Sequence, residues 1–191
     1  MIRETIVTTR DAGGRVHIAP LGLIEEEGGV IIAPFRPSTT LENLLSNPHA
    51  VANYTDDVQV FAGCLTGRRD WPVRPATIVP GVVLEQALAH DELAVVRVDN
   101  DPQRPRFHCR VVHAETHAPF RGFNRAQAAV VEAAILVSRL GMLPAEKVDR
   151  EVEYLRIAVD KTAGPCERQA WEWLMERIAE HRANGPEESP R

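Results

Sequence analysis

Up to about residue 118, apolar residues come in short runs that tend to alternate with polar ones. Beyond that point they recur at spacings of three and four. Alternation places successive side chains on opposite faces of a strand, and the longer spacing marks one face of a helix. Residues 4–9 alternate weakly and are rich in β-branched side chains, which predicts a first strand. Asp11-Ala12-Gly13-Gly14 supplies turn chemistry. A second strand follows over 16–23, with Val16 and Ile18 on one face and His17, Ala19 and Leu21 on the other. Pro20 has no N–H to give to a ladder, so an edge, a bulge or a strand end is expected near it. Glu25-Glu26-Glu27-Gly28-Gly29 turns the chain into a third strand, 30–35. Residues 50–54, 82–89, 93–98 and 106–115 read as further strands. Hairpins with few intervening helices predict antiparallel structure and a small closed or partly closed barrel.

Leu41, Leu44 and Leu45 predict a short amphipathic helix that Pro48 stops. Asp56-Asp57, ahead of Val58, Phe61 and Leu65, reads as a helix start in preference to a metal or catalytic pair. Residues 66–80 carry four charges, Trp71 and three prolines. That composition predicts a long semi-rigid loop, of a length that often serves function. From 124 to 140 the chain is helical and nearly apolar all round, with Arg125, Glu132 and Arg139 in one narrow stripe. Such a helix should be buried on most sides. Gly141 ends it and Pro144 opens the next, which carries Val148, Val152, Leu155 and Val159. Gly164-Pro165 separates a last helix bearing Ala170, Trp171, Leu174 and Ile178. The expected organisation is α+β: a barrel domain over 1–118, a helical segment packed on it over 119–184, and a flexible tail over 185–191.

Composition narrows the partners. A net charge of −5 with no basic run argues against nucleic acid. No apolar run approaches the roughly 20 residues of a membrane span, and the N-terminus lacks the apolar core of a signal peptide. Cys64, Cys109 and Cys166 are scattered and odd in number, which suggests reduced thiols and a cytoplasmic location.

The richest stretch chemically is Phe35-Arg36-Pro37-Ser38-Thr39-Thr40-Leu41-Glu42-Asn43-Leu44, between a buried strand and a helix. Thr39 and Glu42 are spaced as a capping box. Ser38 and Thr40 then remain available beside Arg36. A helix N-terminus with hydroxyls and a guanidinium suits a phosphate, because free N–H groups and the helix dipole favour negative charge. The guanidinium adds a two-pronged donor. A capped helix start without a ligand explains the stretch equally well.

Other clusters carry less. His108, His113 and His117 invite a metal reading, but the four-residue spacing of the last two suits a helix whereas the segment reads as a strand. His108 and Cys109 point to opposite faces. With no second cluster to complete a ligand set, no metal site is expected. Cys109, on an apolar strand face, reads as a core thiol and not a nucleophile. No phosphate-binding glycine loop, dinucleotide fingerprint, nucleophile elbow or His-Glu-x-x-His stands in the chain. If it is an enzyme, a bound cofactor must carry the hard chemistry.

Val16-His17-Ile18-Ala19-Pro20, the acidic turn and apolar strand, Ser38-Thr39-Thr40-Leu41-Glu42-Asn43-Leu44 and Val51-Ala52-Asn53-Tyr54 resemble, in order and spacing, the FMN-binding split-barrel flavoproteins of flavin-reductase type. Within that superfamily the chain is similar to a domain-of-unknown-function family of archaea and of bacteria with tetrahydromethanopterin-linked one-carbon metabolism. The segments that carry this are residues 4–9, 19–22, 53–58 and 122–126. The resemblance implies a dimeric six-stranded Greek-key split barrel with FMN at the dimer interface. It implies a phosphate site at Arg36, Ser38, Thr39 and Thr40. It places the isoalloxazine ring along Ala19, Pro20, Leu21 and Gly22, and Asn53 near the ring or ribityl chain. His17 departs from the small polar residue many members carry, and Arg125 is a further group that could reach the site.

The first expectation from the resemblance is an FMN flavoprotein of oxidoreductase type, with residues 66–80 as a lid and a nicotinamide, a flavin or a pterin as its substrate. A non-catalytic FMN carrier or redox sensor is the alternative, and a barrel serving as an assembly partner without cofactor is a third.

Overall fold

The computed structural model describes residues 1–184, so the expected tail over 185–191 lies outside the described residues. In chain order the strands are β1 (Ile2–Arg10), β2 (Val16–Glu26), β3 (Gly29–Ile32), β4 (His49–Tyr54), β5 (Val73–Pro75), β6 (Val82–Leu84), β7 (Ala89–Asp99) and β8 (Arg106–Thr116). The helices are α1 (Thr39–Ser46), α2 (Val58–Leu65), α3 (Arg125–Val137), α4 (Ala145–Thr162) and α5 (Pro165–Asn184). They fall into two compact units, one of residues 1–56 and 70–120, the other of residues 57–69 and 121 onward.

The first unit is a closed barrel of six antiparallel strands in the order β1-β2-β3-β8-β7-β4. After β3 the chain crosses through α1 to β4, and β8 later returns beside β3, which is a Greek-key path. Alternation decides the interior. Val7, Leu23, Val30, Ile32, Ala52, Leu93, Phe107 and Cys109 form one core, and Leu41 and Leu44 of α1 pack into it. Gly28 turns the β2–β3 hairpin with φ +84°, a conformation side chains disfavour. At Gly29 a Cβ would lie 2.1 Å from the Cys109 carbonyl oxygen, so β3 can approach β8 only without one.

Several expectations need correction. Pro20 does not end β2, which runs on to Glu26. The edge reading holds instead: β3 meets β2 only at residues 24–26, leaving 16–23 with a strand neighbour on one side among the described residues. An open edge tolerates proline. β3 stops at Ile32, and the strand expected over 82–89 breaks after Leu84, where Ala87 N–H bonds to the Leu84 carbonyl at 3.2 Å. Residues 66–80 are not a free lid. They contain β5, and the N–H groups of Thr77, Ile78 and Val79 donate to the buried Glu92 carboxylate at 2.6, 2.7 and 2.7 Å. With β6 this segment covers the outward side of β1, β4 and β7: Thr8 donates to the Val82 carbonyl, and Leu84 N–H donates to Asn53 Oδ1 at 2.8 Å.

The second unit is helical. Ala126, Ala129, Val130, Ala133, Ala134 and Val137 of α3 are buried, as expected for a helix with so little polar face. They share a core with Val58 and Ala62 of α2, Val148 and Val159 of α4, and Trp171, Leu174 and Ile178 of α5. Asp57 caps α2 by accepting from Gln59 N–H, which is the helix-start role read for this pair. Asn124 caps α3, accepting from Ala126 N–H at 2.7 Å while its own amide donates to the Thr162 carbonyl at the end of α4. Asn124 and Arg125 thus stand at a helix start inside this unit.

Candidate functional site

β3 leads through Ala33-Pro34-Phe35-Arg36-Pro37 to α1, and the turn over 101–104 fixes this loop. Asp101 accepts from Gln103 and Arg104 N–H at 2.8 and 2.7 Å, and those two bonds hold its carboxyl below the usual carboxylate range. The turn then holds the loop. Gln103 offers its carbonyl to Arg36 N–H at 3.0 Å. Arg104 donates to the Ala33 carbonyl at 2.9 and 3.1 Å and stacks 4.3 Å over the Phe35 ring. The Arg36–Pro37 peptide is cis.

Ser38, not Thr39, is the N-cap of α1. Its hydroxyl accepts from Leu41 N–H at 3.3 Å, and its carbonyl takes the first helical bond from Glu42 at 3.1 Å. The expected Thr39–Glu42 capping box does not form among the described residues, because the helix begins at Thr39 and the residue three after the Ser38 cap is Leu41. Thr39 is exposed and Thr40 buried, and both N–H groups lie at the free end of the helix. Arg36 is exposed, and its guanidinium has no ion-pair or hydrogen-bond partner among the described residues. Arg36, Pro37, Ser38, Leu41, Glu42 and Leu45 line an open recess of about 390 Å³. α1 packs against β1 and β2, with Asn43 donating to Thr9 at 2.9 Å.

Ala19, Pro20, Leu21 and Gly22 form a half-buried run on β2, beside the open edge. Gly22 also has a packing reason: a Cβ there would lie 2.8 Å from Ile2 Cγ2. Asn53 is placed otherwise. It is fully buried, and its amide is bound to the Ile6 and Val51 carbonyls at 3.0 and 3.3 Å and to Leu84 N–H. The structure thus joins Arg36 and Ser38 in one recess flanked by Thr39 and Thr40, keeps 19–22 together on β2, and ties Asn53 beneath β6.

The histidines divide into two groups. His108 is clamped by Glu26 and Asp99 at 2.9 and 2.8 Å, and its bond to Asp99 lowers that carboxyl. Next to it in sequence, Cys109 lies in the core, where burial pushes its thiol up to about 12, as expected of an inert cysteine. His113 and His117 sit elsewhere, on the face of β7 and β8 turned away from the core, together with His90, Glu92 and Glu115. The sequence argument against a shared face is corrected here, since residues four apart also share a strand face. It missed the second half of the cluster, although His90-x-Glu92 beside His113-x-Glu115-x-His117 was a period-two signal on two strands. Burial, and next the Arg74 guanidinium, hold His117 below its ordinary value.

Six antiparallel strands closed in the order β1-β2-β3-β8-β7-β4, with part of β2 unpaired on one side among the described residues, form a split barrel. Residues 3–118 match the family described as "Protein of unknown function (DUF447) N-terminal domain", and residues 124–176 match "Protein of unknown function (DUF447)". The chain belongs to that family. Among solved structures, an FMN-bound protein of the same family from Methanosarcina mazei aligns at 21% identity over 92% of this chain and 94% of that one, with TM-score 0.81. A 2-nitrobenzoate 2-nitroreductase from Pseudomonas fluorescens aligns at 18% identity over 60% of this chain and 64% of its own, with TM-score 0.51. A flavoredoxin from Methanosarcina acetivorans aligns at 14% identity over 61% and 69%, with TM-score 0.51. A comparison with curated proteins finds no match.

Proposed function

We propose that this chain is an FMN-binding flavoprotein of oxidoreductase type. The observation that carries this is the Arg36 guanidinium, without an ionic partner, beside the free N–H groups of α1 in an open recess. That donor set fits a phosphate monoester, since it offers charge, a fork of N–H donors and a helix dipole to one dianion. Arg36 and Ser38 hold the phosphate, with Thr39 and Thr40 beside them. The unpaired edge of β2 at residues 19–22 offers backbone groups to the ring. The FMN-bound relative from Methanosarcina mazei supports the same reading. Bound FMN would supply hydride and electron transfer, while the chain binds the cofactor and orients it. Asn53 is fully buried, with both amide protons and one lone pair of Oδ1 bonded within the chain.

The visible spectrum of the purified protein, before and after adding FMN, tests the cofactor. Flavin bands that survive desalting are expected, and a protein that stays colourless with FMN overturns the reading. Arg36→Ala should weaken FMN by roughly tenfold to a hundredfold, because a hydrogen bond to a charged group is worth about 1.5–3 kcal/mol. Unchanged affinity would remove the phosphate assignment. Turnover with NADH or NADPH and an acceptor separates an oxidoreductase from a carrier or sensor. Phe35 and Leu45, 58% and 62% exposed beside the recess, support a partner copy closing the site. Sedimentation should then show a dimer, and a monomer at micromolar concentration would contradict the shared site.

A further inference from the structure

We propose that His90, His113 and Glu115 form a binding site for one divalent first-row transition-metal ion of the Zn2+ kind, outside the flavin site. The ladder register sets His90 opposite Glu115 and Glu92 opposite His113. Strand alternation then puts all four side chains and His117 on one face, and one ligand atom each from His90, His113 and Glu115 lies within 4.8 Å of the others.

Arg74 Nη2 lies 2.7 Å from His117 Nε2 and 3.2 Å from its Nδ1. A guanidinium only donates, so His117 is an acceptor toward it. His90 is fully buried, with Nδ1 2.9 Å from His117 Nε2 and Nε2 3.4 Å from Glu92 Oε1. Whichever His90 nitrogen carries the proton, the other keeps an electron pair for an acceptor in a buried place. His113 Nε2 is likewise buried and has no hydrogen-bond partner among the described residues. A metal ion accepts these pairs.

The donor type selects the ion. Two imidazoles and a carboxylate suit Zn2+ and its neighbours, whereas Mg2+ and Ca2+ take mainly oxygen. Ligand bonds of about 2.0–2.2 Å require the donors to draw together. His113 and Glu115, with side chains 30% and 48% exposed, have room to turn inward toward the fixed His90. Glu92 lies against the other side of His90, the place from which a carboxylate orients a metal-bound imidazole. Water completes the coordination. The ion would join β7 to β8 and, through Glu92, tie in the segment over 77–79.

The test uses the full chain, stripped with chelator and titrated with Zn2+ alone by calorimetry, with the unfolding midpoint followed in parallel. One saturable ion per chain and a raised midpoint are expected. His113→Gln and Glu115→Gln change partly exposed side chains and should keep the fold. Losing a group that merely orients a ligand already costs about 10–100-fold in metal affinity, so each variant should lose at least that. His108→Gln, on the same strand but outside the cluster, should bind Zn2+ as the wild type does. No saturable binding would overturn the proposal. Binding that survives both cluster variants, falls equally in His108→Gln, or is matched by Mg2+ would overturn it as well.

Discussion

Glu92 shows what one residue can decide. Its buried carboxylate accepts from three consecutive backbone N–H groups, at Thr77, Ile78 and Val79. Burial alone would raise this carboxyl, but the three bonds outweigh it and hold it below the usual carboxylate range. Glu92→Gln keeps the shape but turns an NH2 group toward N–H donors. A lost bond to a charged group costs about 1.5–3 kcal/mol, so the variant should unfold at correspondingly lower urea. An unchanged midpoint would show that the carboxylate does not hold this segment. Arg36 is the opposite kind of residue, since its charge meets no partner among the described residues and its removal should cost FMN binding and not stability. The sequence marked the stretch after Arg36 as a helix start, because capping is a local pattern, but it gave the cap to Thr39 where Ser38 holds it. It did not reveal Glu92, whose partners stand thirteen to fifteen residues away, nor that Asn53 is tied by backbone groups from β1, β4 and β6.

At the scale of elements, period-two alternation predicted the barrel strands well because an interior face imposes that period directly. Register is another matter. Irregularities in the β7–β8 ladder at Glu92/Leu93 and Val95/Arg97 shift which residues face each other, and no short stretch of sequence encodes them. His90 met Glu115 only once two strands were aligned. The β3–β8 pairing gives a sharp test of such long-range fit. In Gly29→Ala the new methyl would meet the Cys109 carbonyl, a backbone atom that cannot rotate away. Overpacking of this kind costs about 1–3 kcal/mol, which thermal unfolding would read as a lower midpoint. Gly28→Asn is the control, because Gly28, the preceding residue, has a positive φ that Asn tolerates and a Cβ there meets nothing within 4 Å. Equal loss in both variants would argue against close strand approach as the cause.

At the scale of the molecule, sequence order and packing order differ. The matched segments divide the chain between 118 and 124, but α2, which lies within the first of them, has its packing partners in the second. Val58 and Ala62 of α2 are 3% and 0% exposed in a core shared with α3, α4 and α5. Nothing local in residues 57–69 announces this, because an amphipathic helix does not name its partner. The consequence is that a fragment of residues 1–120 should not behave as an independent domain. It would carry α2 with Val58, Ala62 and Leu65 stripped of α3 and α5, and an apolar face of that kind drives association. The fragment should bind a hydrophobic dye and elute as aggregates in size exclusion, while the full chain does neither. Val58→Gln with Leu65→Gln in the same fragment should restore a defined species, because those changes remove the uncovered face and leave the barrel core over Val7, Ala52, Leu93 and Phe107 untouched. A wild-type fragment that is monodisperse and free of dye would show that α2 does not need the helices that follow, and that the barrel folds without the second unit.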